Sequence, residues 1–429
     1  MKRTGAIAFL TALVLAAGML CGCEDKDGAS SAADSTASSA AAAPESSAAE
    51  STADSSEPEK LPETPEEWHE AMLKKSLVTV GDTEPVRKAI DKAKAGEKVT
   101  VAYLGGSITE GVGAGDKLCY AKVSFDKFCE RFGKDGGENI EYVNAGISGT
   151  PSRLGNLRLQ RDVLSHKPDI CFIEFAVNDS MDEDCQASYE SIVRDLIENG
   201  CAPVLLFSVT AEDYSAQDYM KNIGEYYGLP MISYCDALRF MFENKQMTWK
   251  DFSDDQSHPN VSGHALVAEM IDSYFAKAAE TETPAHAYPD QPLSIMIQQG
   301  MQLLENTEIE PESLGSWEKG STVQHFTSGW SFKPGKGNEP LVFRFKGKFA
   351  HLIYKEVKSG RFGDLKIKIT CDGEPYDEKT VKTVTKNGFG NPQITLLGMQ
   401  ASEKEYLVEI SMAEGSEDKY GEILGIAHN

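Results

Sequence analysis

Between residues 99 and 280, short apolar runs alternate with longer stretches of helical periodicity. VTVAYLG, IEYVNAG, DICFIEFAV, APVLLFSV and LPMISY are rich in β-branched and aromatic residues. They alternate with stretches such as YAKVSFDKFCERF and YESIVRDLIEN, whose apolar positions recur every three or four residues. Strands separated by helices pair in parallel and carry helices on both faces, so residues 63–285 are predicted to form an α/β domain. In such open sheets the loops at the carboxyl ends of the strands hold the ligand site. Ser107, Gly149, Asn178 and Asp179 each follow a predicted strand.

After a Pro-containing acidic junction, AAETETPAHAYPDQP, the texture changes. PLVFRFKGKFAHLIYKEV, GDLKIKITCDG, PQITLLG, EYLVEISM and GEILGIAHN read as strands with turn signals and no helices between them. That pattern predicts an all-β, antiparallel sandwich over residues 293–429. Trp317, Trp330 and Phe332 offer either stacking faces for sugar rings or core side chains.

The amino-terminal segment is built differently. MKR, the apolar run GAIAFLTALVLAAGML and the small-residue stop LCGC have the layout of an export signal. The segment resembles a bacterial lipoprotein signal, with Leu20, Cys21, Gly22 and Cys23 matching the lipobox. The resemblance implies a signal peptide over residues 1–22, lipidation of Cys23 and an extracytoplasmic protein whose only membrane contact is its lipid anchor. An uncleaved membrane helix is the alternative, but the run is short for one. Residues 23–62 are dominated by Ser, Ala, Thr, Pro and acids and contain no aromatic residue, so they cannot bury enough surface to fold. As a flexible linker this stretch spans on the order of 35 Å.

The chain has a formal charge of −25, of which residues 24–67, with 12 acidic and 2 basic residues, supply −10. The rest is still acidic, which argues against nucleic acid as a partner and is indifferent to a neutral sugar polymer. Of nine cysteines, Cys21 leaves with the signal and Cys23 takes lipid. The other seven are scattered without a CxxC pair, and an odd number cannot all pair within one chain. Several lie in apolar runs, where a small buried thiol is the simplest reading.

Candidate chemistry begins at Ser107 in LGGSIT, directly after VTVAYL, and at DDQSHPN about 150 residues later, where Asp255 precedes His258 by three positions. A serine hydroxyl is a weak nucleophile near neutral pH and needs a base, and an imidazole with an ordinary pKa of about 6.5 suits that role. A carboxylate behind the imidazole holds the productive tautomer. Activity is then expected to fall below about pH 6 to 7 as the imidazole becomes protonated. Asp251 and Asp254 are rivals to Asp255. His264 reads as helix packing or capping. GVGAGD lacks the third glycine of a dinucleotide fingerprint and the GK[ST] of a phosphate loop, so no cofactor and no metal are implied. Each residue also has a structural alternative: a helix cap for Ser107, an Asx turn for Asn178, a surface histidine for His258.

LGGSIT, NAGISGT, FAVND and DQSHPN, in that order between about 97 and 280, resemble the four blocks of the SGNH/GDSL hydrolase superfamily. The resemblance implies a three-layer flavodoxin-like fold, Ser107 as nucleophile, His258 as base and Asp255 as its partner. It also implies an oxyanion hole made by the N–H of Ser107, the N–H of Gly149 and the side-chain amide of Asn178. Two positions depart from the pattern: Gly106 replaces the usual acidic residue, and Ala176 replaces the glycine that opens the third block. The carboxyl-terminal part is similar, more loosely, to the jelly-roll accessory domains of carbohydrate esterases. The expected function is a surface-anchored esterase removing acetyl or similar small acyl groups from an acylated polysaccharide. A polysaccharide O-acetyltransferase and a non-catalytic glycan-binding lipoprotein are the alternatives. Neither the particular glycan nor the oligomeric state is legible in the residues.

Overall fold

The computed structural model describes residues 61–429 apart from Ala285. The expected signal peptide, Cys23 and nearly all of the expected linker lie outside the described residues. Leu61–Asn429 is one compact unit built around two sheets.

The first sheet contains β1 (Leu77–Thr79), β2 (Val99–Gly105), β3 (Ile140–Gly146), β4 (Ile170–Glu174), β5 (Ala202–Phe207) and β6 (Met231–Ser233), in the order β1-β6-β5-β4-β2-β3. All pairings are parallel except β1 with β6. The parallel strands β3-β2-β4-β5-β6 have flavodoxin-like order, with the topological switch between β2 and β4. Period-two alternation is hidden in the sequence because both faces are apolar. Val101, Tyr103, Phe172, Val204 and Leu206 enter the core shared with the helices Glu84–Ala95, Tyr120–Phe132 and Val261–Glu280. Ala102, Leu104, Cys171, Ile173, Leu205 and Phe207 face the opposite core, beneath the helices Ser152–Asp162, Glu183–Glu198 and Gln217–Tyr226. The helix Tyr120–Phe132 matches its predicted segment residue for residue. It buries Tyr120, Ala121, Ser124, Phe125, Phe128, Cys129 and Phe132, a stripe with helical spacing. The edge strand β1 was not anticipated; with three residues it is too short to show a period.

The second sheet is antiparallel and eight-stranded. Its strands are β7 (Gln302–Leu304), β8 (Trp317–Lys319), β9 (Trp330–Phe332), β10 (Leu341–Glu356), β11 (Leu365–Cys371), β12 (Glu374–Val381), β13 (Asn391–Met412) and β14 (Gly421–His428). The order is β12-β11-β13-β10-β14-β9-β8, with β7 added to β14. PQITLLG and EYLVEISM, expected as two strands, are one long strand, β13, whose pairing with β10 shifts register between Gly347 and Phe349. Trp317 of β8 and Leu365 of β11 both approach Gly421, so strands far apart in the order share one core and the sheet curls on itself. Trp317, Trp330 and Phe332 are buried in that core and present no stacking face for a sugar. All seven cysteines in the described residues are free, and six of them are buried.

Candidate active site

Strand β2 ends at Gly105, and Ser107 opens a one-turn helix, Ser107–Glu110, with Gly106 ahead of it and Gly111, at φ 110°, closing it. The Ser107 Oγ lies 2.9 Å from His258 Nε2, and His258 Nδ1 lies 2.7 Å from Asp255 Oδ2. A carboxylate only accepts, so the Nδ1 proton points at Asp255 and leaves Nε2 free to take the serine proton. The loop carrying the pair is tied down. Asp255 accepts the backbone N–H groups of Ser257 and His258, each at 2.7 Å, and the carbonyl of His258 accepts the Ser253 hydroxyl. Partial burial acts to raise the Asp255 carboxyl, but those two N–H groups and the imidazole outweigh it and hold the group below the usual carboxylate range. Asp251 serves instead in a capping box with Thr248, and Asp254 is exposed.

Gly149 adopts φ 71°, a left-handed conformation open to glycine at little cost. The residue before it is fastened to the nucleophile's helix: both the N–H and the hydroxyl of Ser148 donate to Glu110 Oε2. Asn178 packs on Gly106, where an added Cβ would come 2.4 Å from Asn178 Oδ1. The departure at Gly106 suits this packing, because a Cβ there would force the Asn178 side chain to shift. Among the described residues the Asn178 side chain makes no hydrogen bond, and its Oδ1 is buried without a partner. Asp179 ties the third block to the helix that follows the second: it accepts the N–H of Ser152, the first residue of that helix, at 2.7 Å and the hydroxyl of Tyr219 at 2.6 Å. Ala176 is buried, and its carbonyl accepts the N–H of Ala216. Gly106, Ser107, Gly149, Asn178, Asp255 and His258 thus occupy loops joined to one another at the carboxyl end of the sheet, flanking the switch between β2 and β4. His264 bonds to the N–H of Tyr120 through Nδ1 and to the carbonyl of Val112 through Nε2. It fastens the glycine-rich loop after the nucleophile to the last helix and does not meet Ser107.

Several residues at the site carried no recognised sequence signal. Arg158 is fully buried and donates to the carbonyls of Ala145 and Gly105, joining the ends of β3 and β2. Phe389, from the turn before β13, is 66% exposed and lies against Gly149. His325, also from the second sheet's side of the molecule, sits 3.5 Å from Glu110 and, with the Ser148 bonds, holds that carboxyl below its usual range. Glu174, at the end of β4, had a visible clue: it is the one charge in the apolar run ICFIEFAV.

Residues 103–266 match the GDSL-like lipase/acylhydrolase family. No curated protein matches the chain. Among solved structures, it is similar to a two-domain esterase active on acetylated mannans, co-crystallised with mannopentaose, at 25% identity and a TM-score of 0.73. That alignment covers 83% of this chain and 97% of the other. A second structure of a two-domain esterase active on acetylated mannans aligns at 24% identity and a TM-score of 0.71, covering 83% of this chain and 98% of that one. Both alignments extend across the α/β layer and the antiparallel sheet, so the two-part architecture is shared as well as the hydrolase fold. The chain thus carries a GDSL-like lipase/acylhydrolase domain, which makes it an ester hydrolase of GDSL type.

Proposed function

We propose that this protein is a serine esterase that removes acetyl or other small O-acyl groups from a polysaccharide, anchored by lipid on Cys23 at the outer face of the bacterial membrane. The observation that carries the reading is the unbroken line from Ser107 Oγ through the His258 ring to Asp255. His258 takes the hydroxyl proton as Oγ attacks the ester carbonyl, and Asp255 stabilises the imidazolium that results. The tetrahedral oxyanion faces the N–H of Ser107, the N–H of Gly149 and the Asn178 amide. His258 then returns the proton to the departing sugar oxygen, leaving an acyl-serine. Water, deprotonated by the same imidazole, releases the carboxylic acid and restores Ser107.

The polysaccharide assignment is supported by the two-domain mannan esterases to which the chain is similar along most of its length. It is supported also by the presence of Phe389 beside Gly149, which brings the second sheet to the rim of the site. The test is acetate release from acetylated mannan, xylan and wall glycan by wild type and Ser107→Ala. Release by wild type alone is expected. A wild-type protein inert on all three and on p-nitrophenyl acetate overturns the reading. The anchor is tested separately by fractionation: Cys23→Ala should leave the membrane fraction.

A further inference from the structure

Glu174 is fully buried at the end of β4, directly across from Gly105 in the register of β2. Its two oxygens point in different directions. Oε1 accepts the hydroxyl of Ser208 at 2.5 Å, and Oε2 accepts the hydroxyl of Thr109 at 3.2 Å. Thr109 in turn lies 2.7 Å from the Tyr120 hydroxyl, which must donate because the threonine proton is already committed. Among the described residues no basic side chain pairs with Glu174. A carboxyl buried without a cation disfavours folding, and a well-packed apolar residue of similar volume is often the more stable choice. A group retained under those conditions needs an account other than stability.

Its partners supply one. Thr109 stands two residues after Ser107 on the same one-turn helix, and the packing there is close enough that a Cβ on Gly105 would meet the Thr109 hydroxyl and the Glu174 carbonyl. Ser208 is the first residue beyond β5. Three residues further on, the N–H of Ala211 donates to the carbonyl of Gln256, inside the loop that carries Asp255 and His258. One carboxyl therefore connects the element bearing the nucleophile to the segment that supports the base, although none of the three residues hydrogen-bonds to Ser107 or His258.

We infer that Glu174 is a positioning residue, holding the Ser107 helix and the His258 loop in mutual register through Thr109 and Ser208. The inference rests on the esterase reading of Ser107 and His258, and the experiment separates the two. The purified protein is assayed on p-nitrophenyl acetate as wild type, Glu174→Gln, Glu174→Met and Ser208→Ala, with Tm measured for each. The amide of Gln keeps one acceptor and gains a donor that either hydroxyl can accept, so both connections survive. Met fills the space and makes neither. Glu174→Met is expected to melt at or above the wild-type temperature yet lose about 100-fold in kcat with KM little changed, the effect of a small misplacement of otherwise intact groups. Glu174→Gln should recover most of that loss, and Ser208→Ala should show a smaller fall in kcat, again without a rise in KM. A Met variant with wild-type kcat, or one altered only in KM, overturns the inference while leaving the esterase reading intact. If Met fails to fold, Ser208→Ala decides: wild-type kcat in that variant also overturns it. A wild-type protein without esterase activity removes both.

Discussion

Phe389 lies so close to Gly149 that a methyl group on the glycine would come within 2.7 Å of Cζ of the ring. The contact joins a turn of the second sheet to the glycine proposed to donate its N–H to the oxyanion, and Gly149 adopts φ 71° there. Gly149→Ala meets both the ring and an unfavourable backbone, worth about 1–2 kcal/mol from the backbone alone. It is expected to lower kcat sharply. Phe389→Ala leaves the backbone alone and should raise KM on acetylated polymer more than on p-nitrophenyl acetate. Parallel kinetics on the two substrates check this, and equal effects on both would exclude a role for the ring in holding polymer.

Ser107→Ala and His258→Ala should each lower kcat on the order of 10⁵- to 10⁶-fold, and the double variant should be no slower than either single one, because the groups act as a unit. Asp255→Asn leaves the imidazole with the wrong proton arrangement and should lower kcat by about 10⁴-fold. Additive losses in the double variant would show that the two residues do not serve one step.

Asn178→Ala removes a side chain that makes no hydrogen bond within the described residues, and whose buried Oδ1 has no partner. Its expected signature is a fall in kcat of about 100- to 1000-fold with little change in Tm. A loss of thermal stability with kcat unaltered would assign the amide to the fold.

Burial pushes the Glu174 carboxyl up to about 7 and the Asp179 carboxyl up to about 6. The titratable groups facing Glu174 are Asp179 and the hydroxyls of Tyr120, Tyr189 and Tyr234. In the unfolded chain a glutamate ionises near 4.3, so the unfolded state releases its proton first as pH rises. The native state is therefore favoured below that value and loses stability as pH climbs through the folded value, by on the order of 3 kcal/mol for Glu174. Urea unfolding at pH 5 and pH 8 should show a steeper decline in wild type than in Glu174→Gln. An equal or shallower decline in wild type would contradict the sign.

Trp330 is completely buried, with its ring edge-on to Phe343 at 4.9 Å between centroids. Trp330→Ala should destabilise the protein by about 3–5 kcal/mol, measured by chemical unfolding. Retained stability combined with loss of glycan binding would instead return Trp330 to a surface role.

The alternation of apolar runs and helical stretches determined the parallel sheet, because a chain that buries both faces of a sheet writes its interior strands, here β2, β4 and β5, as nearly continuous apolar segments. Ser107 was legible because it directly follows a strand end, and Asp255 and His258 because their three-residue spacing in one short run is local, although that run lies between two helices. Their joining was not, since 151 positions separate the serine from the histidine and only the fold brings them to 2.9 Å. Tertiary structure alone decided that Gly106 is small to admit Asn178 and that Phe389 reaches Gly149. It also decided that Trp317 and Trp330 are core and that Glu174 bridges two loops. In each case the deciding quantity is a distance between segments remote in the chain, which no local propensity or periodicity encodes.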